Sequence, residues 1–348
     1  MLSLLINKIL YGLIVLVLVV VIITSIVYVA PVDPARLTFG QRMDETTVEN
    51  KKRQLGLDLP YHIQLFQYLR DLSPIYIGNN EGWRKEYSGV YNSLGEWIIG
   101  VKVPHFRQSY QTGRDVSELL IRAFPLTLIL AISALTMAVV LGLIFGTIAS
   151  LYSHSWIDHV ILWLSTLGYS VPSYVSAIVL GVIFGYYLRD SFGLNVQGSL
   201  FEINDLGEDI IVWKNLVLPS LALGLRPVAI ITQLTRSSMI NILSEKFILV
   251  ARAKGVNQFR LIVNHAIRNA FNPVLTALSG WFAALLAGAF FVEFIFNFKG
   301  IGYLTVDALL NYDVPLILGA LVCTSGLFIL INIVVDLLYA LLDPRIKY

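Results

Sequence analysis

Six long apolar stretches dominate this sequence and restrict what the chain can fold into. A hydrocarbon core about 30 Å thick needs about 20 apolar residues of helix, because lipid offers no water to hydrogen-bond an exposed backbone. The stretches that reach this length are residues 9–30, 124–151, 160–188, 216–234, 274–296 and 314–341. They predict an all-α membrane protein with six transmembrane helices.

The composition agrees with a chain that lies mostly in lipid. Hydrophobic residues make up 56% of the 348 residues and charged residues 14%, against roughly 25% charged residues in soluble domains. The formal net charge of +2 is too small to predict a nucleic-acid partner, and membrane lipid is the expected surrounding. The single cysteine, Cys323, lies in an apolar run and offers neither a disulfide framework nor a metal cluster.

The first and third stretches carry features that bear on the prediction of six straight transmembrane helices. Pro172 divides the third stretch, which predicts a broken or bent helix there. Lys8 precedes the first stretch, as in a signal peptide, but the apolar run is too long and no small-residue cleavage site follows it. We therefore expect the first stretch to remain as a membrane anchor.

The charges of the connections predict the orientation of the helices. Short connections rich in Lys and Arg stay in the cytoplasm, because these residues are costly to translocate. The connection between the fourth and fifth stretches has one acid, Glu245, against six basic residues. These are Arg236, Lys246, Arg252, Lys254, Arg260 and Arg268. We expect this connection and both chain termini in the cytoplasm.

The connections divide the chain into three predicted parts. Residues 1–30 form the first helix, residues 31–117 an extracytoplasmic segment, and residues 118–348 a five-helix core with a cytoplasmic loop at 237–270. The second part is allowed outside, because loops longer than about 60 residues are translocated regardless of charge. Its aromatic residues indicate local order. A docking or gating cap and a packed loop of no specific role are both compatible with it.

The basic loop is predicted to hold two short helices separated by a turn. Gly255 follows a run of helix formers ending in Arg252 and Lys254, where a left-handed glycine commonly ends a helix. Asn257 is suited to cap the next helix, which would reach Ala270. An apolar stripe then recurs at three- and four-residue spacing, at Phe259, Ile262, Val263, Ala266, Ile267 and Ala270. Such a hairpin suits a soluble partner, although a basic amphipathic helix on the membrane surface has the same pattern.

The residue order in this loop carries a resemblance. Ala251-Arg252-Ala253-Lys254-Gly255 and then His265-Ala266-Ile267-Arg268-Asn269-Ala270 are similar to the coupling loop of ABC-importer permeases, in the family for dipeptides, oligopeptides and nickel. Further similar positions are PVDPA at 31–35, LGLDLP at 55–60, GYSVPS at 168–173, LVLP at 216–219, LTRSSM at 234–239, VE at 292–293 before GIG at 300–302, and VDLLYALLDPRI at 335–346. The resemblance therefore covers nearly the whole chain.

Two departures from the pattern stand beside these matches. Leu249-Val250-Ala251 occupies the position of the general Glu-Ala-Ala triplet, as suits the peptide branch of the family. Residues 75–110 form a longer stretch than expected and lack a Gly-Asp-Leu-Gly pattern. From this second departure we expect the docking of a binding protein to be altered.

The resemblance implies a permease subunit of an ATP-driven importer, with type I ABC importer architecture. A second homologous permease, two cytoplasmic ABC ATPases and an extracytoplasmic substrate-binding protein complete such importers in the bacterial inner membrane. The implied ATPase-coupling residues are Phe247, Val250, Ala251, Arg252, Ala253, Lys254 and Gly255. This chain lacks a Gly-x-x-x-x-Gly-Lys-Ser/Thr motif, so ATP and Mg are expected on the ATPases and no cofactor on the permease.

The expected cargo is a dipeptide or oligopeptide. Nickel chelates, glutathione and other small solutes are alternatives within the same family, because nothing in the helices identifies the ligand. A secondary, ion-coupled transporter is the alternative from another class, but neither internal repeats nor paired mid-membrane acids are clear in the sequence. The motifs His-Glu-x-x-His and Gly-x-Ser-x-Gly are absent, which argues against a membrane hydrolase.

Charged residues at membrane depth are the candidates for the substrate path. Arg226 lies midway along the fourth stretch and is placed to line the path or to bind a peptide carboxylate. The alternative is a structural ion pair with Glu293 or Asp336, two acids near helix ends where ordinary interface charges are common. Glu293 is the second path candidate. His154 and His159 are five residues apart without a third ligand nearby, so no metal site is predicted.

Overall fold

The computed structural model describes residues 2–29, 46, 49–50, 52–53, 56–78, 89–94, 97–204 and 206–342. The family-like positions at 31–35 and those from 343 onward lie outside these residues. Two compact units are distinguished, residues 1–123 with 304–329, and residues 124–303 with 330–348. The three-part division at residues 30 and 117 is a different partition, and it stays a prediction.

Most of the described chain is helical. The helices are α1 (Leu2–Val29), α2 (Tyr61–Leu72), α3 (Val116–Leu151), α4 (Trp156–Ser170), α5 (Ser173–Leu180), α6 (Arg189–Phe192), α7 (Lys214–Leu243), α8 (Lys246–Ala253), α9 (Gln258–Arg260), α10 (Arg268–Gly288), α11 (Phe290–Ile295), α12 (Ile301–Leu310) and α13 (Val314–Leu342). Two π-helical segments, Gly181–Tyr187 and Leu261–Ile267, directly continue α5 and α9.

The strands are short and lie outside the long helices. β1 (Ile75–Gly78), β2 (Gly89–Leu94) and β3 (Trp97–Lys102) form an antiparallel sheet with β3 in the middle. Gly100 of β3 is opposite Tyr76 on one side and Tyr91 on the other. β4 (Phe201–Ile203) and β5 (Asp209–Ile211) form a two-stranded antiparallel pair.

Four to five apolar spans are found in the described part of the chain. The four single helices long and apolar enough to cross a membrane are Ile6–Ile26, Val116–Leu151, Lys214–Leu243 and Val314–Val334. The bent pair of Trp156–Ser170 and Ser173–Tyr187 is a fifth if it counts as one span. The stretch predicted at 274–296 is divided between α10 and α11. The chain is therefore a mostly helical membrane protein, and the count of six spans stays a prediction.

The break predicted at Pro172 is confirmed. The axes of α4 and of the helix after it differ by 108°. Val171 and Pro172 are extended, with ψ angles of 130° and 140°, because proline lacks an N–H and disfavours the helical region for the residue before it. α4 begins before residue 160, where the apolar stretch was predicted to start, since the Ser155 side chain accepts a hydrogen bond from the Asp158 amide as an N-cap.

In the second unit, α3 and α7 pack backbone against backbone. A Cβ atom on Gly224 of α7 would lie 2.9 Å from the carbonyl oxygen of Ala134 in α3. Gly142 and Gly146 of α3 leave similarly little space beside Ile231 and Thr235 of α7. Small residues permit such close approach of membrane helices. Because these contacts advance in the same direction along both helices, α3 and α7 run parallel.

A buried apolar core surrounds this helix pair. Its members come from α3, from α5, from the loop before β4, from the start of α7, and from α10 and α11 with the loop after them. They include Leu126, Leu130, Leu218, Ala222, Leu223, Leu285, Val292, Phe296 and Phe298.

In the first unit, α2 packs on α1 and on the start of α13. Tyr68 of α2 is buried with Val20 of α1 and Leu318 of α13. Asp313, directly before α13, accepts hydrogen bonds from the Ser109 hydroxyl at 2.5 Å and the Tyr110 amide at 3.0 Å. Burial raises the pKa of Tyr110 to about 12, so its phenol stays protonated. The segment between α1 and α3 is thus tied to two membrane helices.

Candidate functional site

α8 is a short exposed helix that is attached through one fully buried side chain, Ile248. Glu245 precedes it with an extended backbone, φ −71° and ψ 147°. Ile248 packs in a buried cluster with Met239 at the end of α7 and with residues of the next helix. Those residues are Leu261, Ala266 and Ala270. The predicted helix before Gly255 is confirmed, but Ile248 was not predicted to be its anchor.

The remaining surface of α8 is exposed and largely apolar. Phe247, Leu249 and Val250 expose 45%, 56% and 54% of their surface. Arg252 and Lys254 are exposed too, and within the described residues neither forms an ion pair. An exposed apolar group of this kind is a candidate interaction surface. The two free cations at its end would suit acidic groups on a partner.

The other predicted coupling residues lie on the same short helix. Ala251 is partly buried and Ala253 is exposed, so the α8 backbone is accessible to close approach. The seven predicted residues lie in α8 and in the turn that follows it, and Leu249 lies within the same range.

Gly255 ends this helix in the left-handed conformation, with φ +79°. Its N–H donates to the Arg252 carbonyl at 3.0 Å, and the Val256 N–H donates to the Ala251 carbonyl at 3.2 Å. No neighbouring atom lies within 4 Å of the position that a Cβ would take. Glycine is needed here for its backbone conformation alone. The predicted turn at Gly255 is confirmed.

The helix after the turn is longer than predicted. The Asn257 side chain accepts a hydrogen bond from the Phe259 amide at 3.2 Å, which confirms the predicted cap. α9 then continues through the π-helical segment Leu261–Ile267 into α10. The amphipathic helix predicted at 257–270 is therefore the first part of one helical run that ends at Gly288.

The predicted apolar stripe is wrong at two positions. Phe259 is 75% exposed and Val263 is 41% exposed. In a π-helix the hydrogen bonds join residues five apart instead of four, so each turn is wider. The buried positions are accordingly Leu261, Ala266 and Ala270, and a stripe drawn at α-helical spacing does not follow them.

A partly buried ion pair one turn before Met239 was not predicted. Arg236 Nε lies 2.6 Å from Asp158 Oδ1, and Arg236 Nη2 lies 2.5 Å from Asp158 Oδ2. Asp158 is 1% exposed and also accepts the His154 amide at 2.9 Å. Bidentate arginine–carboxylate pairs are strong and fix geometry. This pair holds the start of α4 to α7 beside the attachment of α8.

Arg226 lies on the exposed side of α7, next to the break between α4 and α5. Its Nε donates to the Tyr169 carbonyl oxygen at 3.3 Å, and its guanidinium carbon lies 5.9 Å from the centre of the Tyr169 ring. In the described part of the chain no carboxylate pairs with it. The predicted pair with Glu293 is wrong. The side chain of Asp336 lies outside the described residues.

Glu293 is fully buried and joins two helices, so the expectation of an ordinary interface charge is wrong. Its Oε2 accepts the Tyr303 amide at 3.0 Å in the first turn of α12. Beside it, the Ile301 amide donates to the Thr127 hydroxyl at 2.8 Å. A carboxylate is favourable at a helix N-terminus. Glu293 therefore anchors α12, and the fold does not bring it to Arg226.

The two histidines at the start of α4 have local roles. His159 Nδ1 lies 2.7 Å from the Ser155 carbonyl oxygen, and His154 adopts a φ of +63° in the turn before α4. Among the residues that the structure describes, no group of three His, Cys, Asp or Glu side chains is arranged to hold a metal ion.

Comparison with known proteins decides the family. The model described as "Binding-protein-dependent transport system inner membrane component" matches residues 138–348, and the model of the corresponding N-terminal part matches residues 1–131. This chain belongs to that permease family. The resemblance seen in the sequence is thereby confirmed.

Two curated relatives are similar to the permease over nearly its full length. It is 33% identical to the probable peptide ABC transporter permease protein y4tP of Sinorhizobium fredii, over 92% of this chain and 91% of the relative. It is also 33% identical to the glutathione transport system permease protein GsiC of Salmonella choleraesuis, over 96% and 95% of the two chains. A crystal structure of an amino acid ABC transporter is similar over 66% of the permease and 95% of the solved chain, with 18% identity and a TM-score of 0.45.

Family membership fixes the class of the protein. The permease is a multi-pass inner-membrane subunit of an ABC importer and is not itself an enzyme. ABC importer permeases work with ATPases, a second permease and a binding protein. The alternative of an ion-coupled secondary transporter is therefore excluded.

Proposed function

We propose that this permease forms the translocation path of an importer for dipeptides or oligopeptides. This proposal is supported by two relatives, one named as a probable peptide transporter permease and one as a glutathione transport permease. Glutathione is itself a small peptide. Nickel chelates and other small solutes are the alternative cargo. On this proposal the binding protein selects the cargo, and the permease carries it across the membrane.

The proposed contact with the ATPase is the coupling surface, consisting of Phe247, Val250, Ala251, Arg252, Ala253, Lys254 and Gly255. The observation that carries this proposal is the exposure of α8, which is attached at Ile248 and presents apolar and basic side chains outward. ATP and Mg would be bound by the ATPase subunits. Closure of the two ATPases would move α8 and, through Met239 and the ion pair beside it, α7.

The proposed topology has six spans with both termini in the cytoplasm. α3 and α7 run parallel, which supports a chain that returns across the membrane once between them, through the bent pair. α10 and α11 would supply the remaining span. The segment between α1 and α3 would then lie outside the cytoplasm, where it is placed to meet the binding protein.

The proposed substrate path includes Arg226, which is exposed at the helix break. Glu293 would shape the path from its buried position, by holding the N-terminus of α12. The two residues thus have different proposed roles, one facing the cargo and one positioning a helix.

Substitution at Gly255 tests the coupling surface. Gly255→Pro cannot adopt the left-handed φ of +79° and removes the N–H that bonds to Arg252. Gly207→Pro is a matched control, because Gly207 has a φ of +82°, no atom near its missing Cβ, and an N–H that bonds to Asn204. We expect the ATPase to co-purify with the control and to be lost from Gly255→Pro. Equal co-purification with both variants would contradict the proposed contact.

Two further measurements test the importer and its cargo. ATP-independent uptake by this chain alone in liposomes would contradict the proposed coupling of transport to the ATPase through α8. Mass spectrometry of the ligand released from the cognate binding protein identifies the cargo. A short peptide is the expected result, and a nickel chelate would replace the peptide proposal.

A further inference from the structure

Arg226 is a charged side chain exposed near the middle of an apolar helix. At about 1.5 Å per residue it lies about 18 Å from the start of α7 at Lys214, within a helix about 45 Å long. An ionisable residue at such depth faces the interior of a helix bundle or a water-filled cavity, because contact with lipid is costly. Since no carboxylate in the described residues pairs with it, Arg226 has charge to offer to another molecule.

The helix break beside Arg226 exposes main-chain groups at the same depth. The last carbonyl groups of a helix lack partners within it. Arg226 Nε donates to one of them, the carbonyl of Tyr169, which leaves the terminal amino groups of the guanidinium without an acceptor in the described part of the chain. Irregular backbone at membrane depth is tolerated where it is buried in protein or lines a water-filled cavity.

The chemistry of the surroundings suits a carboxylate. The guanidinium fork binds a carboxylate through two parallel hydrogen bonds. Exposed aromatic side chains flank the break on both sides, with Tyr169 before it and Tyr174 after it. The Tyr174 ring lies 6.1 Å from the ring of Phe291, which is also exposed. Arg226 beside the Tyr169 ring can hold an anionic group while the ring contacts apolar parts of the same ligand.

We propose that Arg226 and the helix break at residues 170–172 form a binding element for the carboxylate of the cargo in the translocation path. The permease then favours cargo with a free carboxylate, such as the C-terminus of a short peptide. This inference rests on the proposed function of peptide import. It assigns to the permease a selectivity of its own, in addition to that of the binding protein.

Uptake by the complete transporter in proteoliposomes tests this element. The cargoes are trialanine and trialanine amide, which differ in the C-terminal charge. We expect Arg226→Gln to lower trialanine uptake about tenfold or more, since a charge-assisted bidentate contact is lost, and to leave trialanine amide uptake unchanged. Arg226→Lys keeps the charge without the fork and should fall between. Arg189→Gln, an exposed arginine in α6, is the control and should change neither uptake.

The outcomes separate this inference from the proposed function. An equal loss of both cargoes in Arg226→Gln would overturn the carboxylate element and assign Arg226 to maintaining the helix break. Absence of trialanine uptake by the wild-type transporter would instead contradict peptide import. If the wild-type transporter takes up only one of the two cargoes, or neither, a structure of the assembled transporter tests the role of Arg226 instead. A carboxylate of the second permease paired with Arg226 would overturn the element, and an Arg226 facing a water-filled path would support it.

Discussion

Arg236 and Asp158 form a bidentate ion pair, with two nitrogen–oxygen distances of 2.6 and 2.5 Å. Arg236 lies near the end of α7 and Asp158 in the first turn of α4, so the pair joins two helices at the point where α8 follows. Asp158 is almost completely buried. The Asp158 carboxylate left alone would be poorly solvated, whereas the Arg236 side chain remains 20% exposed. The pair is therefore most sensitive to loss of the arginine.

Removal of one partner of this pair should be more harmful than removal of both. Arg236→Gln leaves the Asp158 carboxylate without its counter-ion, and such losses cost up to about 3–5 kcal/mol in the free energy of unfolding when the pair is fully buried. Since Arg236 is partly exposed, we expect the lower part of that range or less. The double variant Asp158→Asn with Arg236→Gln removes both charges and should be less destabilised than Arg236→Gln. Thermal unfolding of the purified permease in detergent measures both. Additive effects of the two substitutions would show that the pair is not coupled.

Truncation of the α8 anchor should loosen α8 while leaving the exposed side chains intact. Ile248→Ala removes a fully buried side chain, and such truncations cost about 2–5 kcal/mol. We expect faster hydrogen exchange at the amides of Lys246–Ala253. Val263→Ala, at an exposed position in the neighbouring π-helical segment, is the control and should leave this exchange unchanged. Unchanged protection in Ile248→Ala would mean that other contacts hold the helix.

Two helical glycines should respond oppositely to alanine. A Cβ on Gly302 would lie 2.5 Å from Cα of Phe290 and 2.9 Å from Oε2 of Glu293, so Gly302→Ala should lower stability by about 1–3 kcal/mol through overpacking. Gly280 in α10 has no atom within 4 Å of that position, and Gly280→Ala should gain up to about 1 kcal/mol from helix propensity. Melting temperatures should therefore move in opposite directions. A similar shift for both would refute the close contact at Glu293.

Loss of the Asp313 carboxylate should release the chain around Ser109. Asp313→Ala removes the acceptor of the Ser109 hydroxyl and the Tyr110 amide, and unpaired buried donors cost about 1–3 kcal/mol. Trypsin should then cleave faster after the exposed Arg114. Asp313→Asn keeps one acceptor oxygen and should show a smaller increase. Equal cleavage of wild type and Asp313→Ala would exclude a role of this carboxylate in holding the segment.

The features that the sequence predicted correctly depend on neighbouring residues. The turn at Gly255 follows from a glycine after a basic helix end, and the cap at Asn257 from the side chain beside the next amide. The break at Pro172 follows from the missing N–H of proline. Each of these signals acts within a few residues, so each is readable without knowledge of the fold.

The features that the sequence did not predict depend on distant partners or on a change of helical period. Asp158 and Arg236 are 78 residues apart, and the acid is typical of an ordinary helix start. Glu293 is buried beside Thr127 and the first turn of α12. Thr127 is distant in sequence, so this environment exists only in the folded chain. The exposed Val263 lies in a π-helical segment, a change of helical period that apolar spacing does not reveal.

The close glycine contacts between α3 and α7 have a mechanical consequence. At Gly142, Gly146 and Gly224 the two helices approach so closely that sliding one along the other would create steric clashes. We therefore expect α3 and α7 to move together. α7 carries Arg226 near its middle and Arg236 near its end. Pro227 lies between them and lacks the N–H of a helical hydrogen bond, so the packing of α7 on α3 is what carries a displacement from Arg236 towards Arg226. Bending is then concentrated where the chain leaves the helical conformation, at Pro172 and at Gly255.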